Sequence, residues 1–167
     1  MYKIGEKILY GRTGVCVVEE IVSKRLSGEK EDRLFYTLRP LYQSCSISIP
    51  VDSKVFSRPI MSADEAKALI VTLPTLEAEP CREKNLNRLR DHYREIIESC
   101  EGRRLAMLGI SIYRKKLEAE AARRKLGAVD ERFMKEAEEL LFGELAAALG
   151  IERTSVHDFI KKSLSVE

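Results

Sequence analysis

The side chains best equipped for metal or nucleophilic chemistry in this chain are four cysteines, Cys16, Cys45, Cys81 and Cys100, and two histidines, His92 and His157. A structural metal site draws its ligands from close pairs such as C-x-x-C, because two ligands one turn apart converge on one ion. No such pair occurs, so neither a metal site nor a disulfide framework is expected, and the thiols read as buried or idle. Nucleophilic, nucleotide and metalloprotease sites carry the signatures G-x-S-x-G, a Walker loop, G-x-G-x-x-G or H-E-x-x-H. None is present. Gly11 and Gly14 could suggest a phosphate loop, but the residues after them, Val15-Cys16-Val17-Val18, form a β run and not the helix N-terminus that binds an anion. A turn is the reading adopted. The chain is expected to be no enzyme, with no cofactor, no metal and no small-molecule substrate.

What the sequence does offer is local charge. The whole chain of 167 residues is nearly balanced, with 29 basic and 27 acidic residues, so no global field draws it to nucleic acid or membrane. By segment, however, 82–125 holds 13 basic against 7 acidic residues and 127–167 holds 5 against 9. Arg88, Arg90, Arg94, Arg103, Arg104, Arg114, Lys115, Lys116, Arg123, Arg124 and Lys125 therefore form either a solvated outer face or a surface for phosphates. Guanidinium forks match phosphate oxygens, and each neutralised phosphate releases a counterion.

The elements that must carry these residues change character along the chain. From Tyr2 to Pro59 there are short runs rich in β-branched and aromatic residues: 7–10, 15–22, 34–38 and 46–49. Turn formers separate them at Gly5, Gly11 to Gly14, Ser27 to Lys30 and Pro40 to Ser44. Short, closely spaced strands without an intervening helix predict a small Tudor/SH3-like antiparallel β-barrel over 1–60. Residues 61–84 read as a short helix and linker: Ser62 and Glu65 make a capping-box signal, Ala66, Leu69, Ile70 and Leu73 share a face, and Pro74 and Pro80 interrupt.

Residues 85–167 show a 3.6-residue apolar period and predict an all-α bundle of four helices. The first carries Leu86, Leu89, Tyr93, Ile96 and Ile97. The second continues to Gly127, the third is capped by Asp130 and ends at Gly150, and the fourth starts at Thr154 or Ser155. The fold class is thus α+β, a β-barrel followed by a helical bundle. No leader pattern and no apolar run approaching the roughly 20 residues of a membrane span is seen, which predicts a cytoplasmic protein with no membrane partner.

The opening Tyr2-Lys3-Ile4-Gly5-Glu6-Lys7-Ile8-Leu9-Tyr10-Gly11-Arg12-Thr13-Gly14-Val15-Cys16-Val17-Val18-Glu19-Glu20-Ile21 resembles bacterial CarD and CdnL transcription regulators and the polymerase-binding module of transcription-repair coupling factors. The likeness continues through Ser27-Gly28-Glu29, Ile49-Pro50-Val51, and Glu131-Arg132-Phe133-Met134 to Leu141-Phe142-Gly143-Glu144-Leu145-Ala146, so it spans nearly the whole chain. The resemblance implies a Tudor-like barrel that adds its edge strand to the RNA polymerase β subunit, here through Lys24, Arg25 and Leu26 with Ser48 on the neighbouring strand. It also implies that the helical domain holds promoter DNA at the upstream edge of the bubble, stabilising the open complex. On that analogy the DNA-binding set is Arg88, Leu89, Arg90, Arg94, Arg114, Lys115 and Arg132. The family wedges a tryptophan at the edge of the melted DNA. This chain has none, and Leu89 takes that place in the alignment. The alternative is a polymerase-bound adaptor whose helical domain binds another protein through Glu136, Glu138, Glu139 and Glu144.

Overall fold

A computed structural model describes residues 1–165. The chain divides into two compact units, Met1–Ile60 and Met61 onward, which are described separately.

The first unit is a five-stranded antiparallel sheet: β1 (Lys7–Tyr10), β2 (Gly14–Lys24), β3 (Arg33–Pro40), β4 (Ile47–Pro50) and β5 (Ser57–Pro59), in the order β4-β3-β2-β1-β5. The expected barrel has the hydrogen bonding of an open sheet, with β4 and β5 as outer strands and no ladder joining them among the described residues. One face buries Ile8, Cys16, Val18, Tyr36, Leu38 and Ile49. The run Val17-Val18-Glu19-Glu20-Ile21 breaks strict alternation, and the structure shows why. Val18 pairs with Leu38 and Glu20 with Thr37, so Glu19 is an extra residue forming a bulge. The bulge keeps both glutamates exposed and returns Ile21 to the core side three residues after Val18. Gly11 is held at φ +46°, where a Cβ would meet Val55 Cγ1 at 2.8 Å; only glycine fits there. The strand β5 carries no sequence signal, being three residues long and ending in proline, and pairing with Ile8, Leu9 and Tyr10 alone defines it.

The second unit has five helices: α1 (Ala63–Thr72), α2 (Leu86–Ser99), α3 (Gly102–Ala121), α4 (Ala128–Leu149) and α5 (Val156–Leu164). The capping box at α1 is present, with Glu65 N donating to Ser62 Oγ at 3.1 Å and Ser62 N to Glu65 Oε2 at 2.7 Å. The helix read from the sequence as a connector lies within this unit, since Ala66 and Ile70 are buried in its core beside Leu89, Tyr93 and Ile97. Two helix ends differ from expectation. Helix α3 stops at Ala121, where Arg124 N bonds to Ala119 O at 2.7 Å, and α4 starts at Ala128 with Gly127 as its N-cap. Asp130 is therefore not a cap. Its carboxylate is buried and serves the core, as described below. Glycine ends α4 as expected, Gly150 sitting in the left-handed region at φ +69°. Among the described residues no helix is long and apolar enough to cross a membrane.

Candidate interaction surfaces

In the β unit the functional question is where backbone hydrogen-bonding groups remain unmet, because an incoming strand needs them. Strand β1 and the two residues before it cover β2 only as far as Val18, whose N–H donates to Glu6 O at 3.0 Å and whose carbonyl accepts from Gly5 N at 2.7 Å. From Glu19 to Lys24, β2 has β3 on one side and, among the described residues, no strand on the other. In an antiparallel ladder alternate residues turn their N–H and C=O to opposite sides. Leu41 N donates to Val15 O and Val51 N to Leu34 O; counting on from these through the bulge, Glu20, Val22 and Lys24 face β3. Ile21 and Ser23 turn both backbone groups outward. The other two rims are poorer. On β4 the outward set is Ser48 and Pro50, and on β5 it is Ser57 and Pro59, so each outer strand ends in an outward residue with no N–H to give.

Lys24, Arg25 and Leu26 thus close the one long open rim, and all three are exposed. The Lys24 ammonium lies 5.9 Å from the centre of the Phe35 ring, and Arg25 Nε donates to Asp32 Oδ1 at 2.8 Å across the turn. Ser48 is not on the neighbouring strand. It pairs with Thr37, which pairs with Glu20, so β3 lies between, and Ser48 is two strand spacings, about 10 Å, from β2. Sequence reasoning missed Ile21 and Ser23, whose outward backbone depends on the parity shift at Glu19.

The helical unit gives three of the seven expected DNA residues, Leu89, Arg114 and Lys115, other work. Leu89 is 3% exposed and packs with Tyr93 and Ile97, so it is a core residue and not a wedge. Lys115 is drawn inward: Nζ donates to Asp130 Oδ1 at 2.9 Å, and the Tyr93 hydroxyl donates to the same oxygen at 2.5 Å. This triad ties α2, α3 and α4 together. Burial, and then the bond to Asp130, push the Tyr93 hydroxyl well above its ordinary range. Arg114 Nη1 donates to Ala78 O at 3.1 Å and approaches Glu79 at 3.8 Å, holding the segment before α2. Arg82 forks onto Glu118 at 2.5 and 2.8 Å, which keeps that exposed carboxylate below its usual range.

On α2, at about 100° per residue, Arg90 and Arg94 lie about 40° apart, whereas Arg88 sits about 160° round from Arg90. Arg88 therefore flanks the buried stripe on its other side. Arg90 donates to Asn87 at 3.1 Å and Arg94 to Asp91 at 3.5 Å, both weak local bonds. Arg132 is exposed, its guanidinium 5.7 Å from the centre of the Phe133 ring. Arg123, Arg124 and Lys125 are exposed together between α3 and α4. Of the acidic residues proposed as a protein platform, Glu144 is fully buried and accepts from Met61 N at 2.9 Å. Glu138 and Glu139 remain on the surface.

Among the described residues no group of three or more His, Cys, Asp or Glu side chains is placed to hold a metal ion. Burial, with a smaller push from Cys45, raises the Cys16 thiol to about 11, so it is an unreactive core residue.

The unit with the open rim is also the part of the chain that matches a known family. Residues 2–55 match the model of the CarD-like/TRCF RID domain. The match covers β1 to β4 and the approach to β5, and a domain of that description indicates an RNA polymerase-interacting, transcription-related protein. The helical unit lies outside the match, and no curated protein matches the chain.

Proposed function

We propose that this chain is a non-enzymatic, cytoplasmic bacterial transcription regulator that docks on the RNA polymerase β subunit through its CarD-like domain, a Tudor-like module, and contacts promoter DNA through its helical unit. One observation carries the docking step: the family match falls on a sheet whose β2 rim leaves Ile21 and Ser23 with outward N–H and C=O groups. A strand from the partner, laid along Glu19 to Lys24, would gain backbone hydrogen bonds, and Lys24, Arg25 and Leu26 would read its side chains.

DNA contact rests on exposed basic side chains that no strong internal ion pair consumes. Exposed Arg94, with the half-buried Arg90 beside it, supplies one cluster and Arg123, Arg124 and Lys125 another. These are point contacts to phosphate, which fix position and carry little base information. If they touch the upstream edge of the bubble more closely in melted than in closed DNA, the difference shifts the equilibrium towards the open complex. About 1.4 kcal/mol of such preference gives tenfold.

The test is capture of purified RNA polymerase by the full chain, alongside Arg25→Glu. Arg25 and Asp32 form an exposed pair, so the reversal is expected to cost at most about 1 kcal/mol of stability. Capture should fall while the unfolding midpoint moves little. Equal capture by the reversed chain would remove Arg25 from the interface, and failure of the natural chain to capture the β subunit would remove the proposal.

A further inference from the structure

We propose that the trough between α3, α4 and α5 is a docking site for a short, basic, amphipathic helix of a partner protein, a contact separate from polymerase or DNA binding. The trough holds about 580 Å³. It is lined by Leu73 and Pro74 after α1, by Ala106 on α3, Ala137 on α4, and Ile160 and Leu164 on α5. Such a volume lined by apolar groups is typical of a binding cleft and unusual as free surface.

Three features select a helix as its occupant. The first is backbone chemistry. The walls are helices whose own N–H and C=O groups are paired internally, so an extended peptide would bury unmet backbone groups there, whereas a helix brings its own satisfied. The second is Gly109. It sits in the middle of α3, where glycine weakens the helix, yet a Cβ built on it would meet nothing within 4 Å. Nothing inside the unit requires a glycine. Its missing side chain, beside Ala106, lets another backbone come close. The third is length. The α3 lining runs from Leu105 to Tyr113, which is about 12 Å at 1.5 Å per residue, or two helical turns. That accepts apolar anchors at i, i+4 and i+7.

Charge selects the sign of the partner. The polar side chains lining the trough are Glu138 on α4, His157 on α5 and Tyr113 on α3, all exposed, and among the described residues no Lys or Arg lines it. Glu138 has no ion-pair partner among the described residues. The segment that supplies this wall, 127–167, carries 5 basic against 9 acidic residues. A helix with Lys or Arg beside its apolar stripe complements such a rim.

The experiment uses the full chain and a synthetic 14-residue helical peptide with leucines at i, i+4 and i+7 flanked by lysines, titrated by fluorescence anisotropy and by methyl NMR. Saturable binding is expected, with shifts centred on Ile110, Met134 and Ile160, and at least tenfold weaker binding when glutamates replace the lysines or when the chain carries Glu138→Lys. Gly109→Leu should abolish binding with unchanged thermal unfolding. Should that variant misfold, Tyr113→Lys at the exposed rim is the substitute and should weaken binding at least tenfold. No binding of the lysine peptide, equal binding of both peptides, or binding indifferent to the trough variants would overturn the proposal. So would either competing occupant: self-association of the natural chain that Gly109→Leu removes, or a small apolar molecule found by native mass spectrometry to fill the trough.

Discussion

Replacing Lys115 with methionine separates a structural role from a DNA-contacting one. Lys115 belongs to a basic run that the sequence offers as phosphate-binding, yet its ammonium lies 2.9 Å from the Asp130 carboxylate, with side chains only 17% and 9% exposed. Removing one partner of a buried pair costs about 3–5 kcal/mol, because the other charge is left without compensation. Here the Tyr93 hydroxyl still donates to Asp130, and methionine keeps the apolar stem packed, so the lower end applies, about 3 kcal/mol. At about 4 °C or more per kcal/mol for a unit of this size, Lys115→Met should lower the melting point by on the order of 10 °C. The assay is thermal unfolding followed by circular dichroism, paired with a salt titration of binding to a forked promoter duplex below the melting point. The slope of log affinity against log salt should stay where it is, because Lys115 releases no counterion. An unchanged melting curve together with a slope smaller by about 0.9, the value of one phosphate contact, would refute the structural assignment.

Three further outcomes follow from the same geometry. Ser23→Pro removes an N–H that turns away from β3, so it should weaken polymerase capture at least tenfold while leaving the β unit folded; equal capture in a pull-down would move the docking strand elsewhere. Arg90→Ala with Arg94→Ala should weaken fork-DNA binding evenly across promoter sequences in a gel-shift panel, whereas loss confined to one sequence would point to base reading instead. Tyr93 is held neutral by burial and by its bond to Asp130, so its hydroxyl titrates higher in the folded chain than the ordinary value of 10.0. Its contribution is complete below that value and is lost as pH rises above it, because the unfolded chain then gives up a proton that the folded chain retains. Urea midpoints should accordingly fall above about pH 10, and Tyr93→Phe should flatten that fall.

Much of the architecture is legible locally. The Ser62 and Glu65 capping box, the glycine end of α4 and the β-rich runs before Pro59 are properties of a few adjacent residues, and the structure has them in place. The apolar stripe of α2 equally marks Leu89 as a core residue, and its burial follows from that periodicity. The opening strands likewise carry the family pattern, which is why the CarD-like domain is readable from residues near the N-terminus.

What the chain's order could not state is which distant groups meet. Glu136, Glu138, Glu139 and Glu144 look alike in a row, but Glu144 points inward to the Met61 amide 83 positions away. Lys115 and Lys116 are adjacent, and only packing sends the first to Asp130. Asp130 has the residue type of a cap, yet the helix begins earlier and leaves it facing Tyr93. The resemblance set Ser48 on the strand beside Lys24 and Arg25, and strand order puts β3 between them. The sequence by itself determined where β1 to β4 and the helices form, give or take their ends, because hydrogen bonding within a turn or helix and the periodicity of burial are short-range, whereas β5 exists only by its pairing with β1. Tertiary structure decided which charges are consumed and which backbone rim stays open, because ion pairing and strand order are settled by the distances between segments remote in the chain.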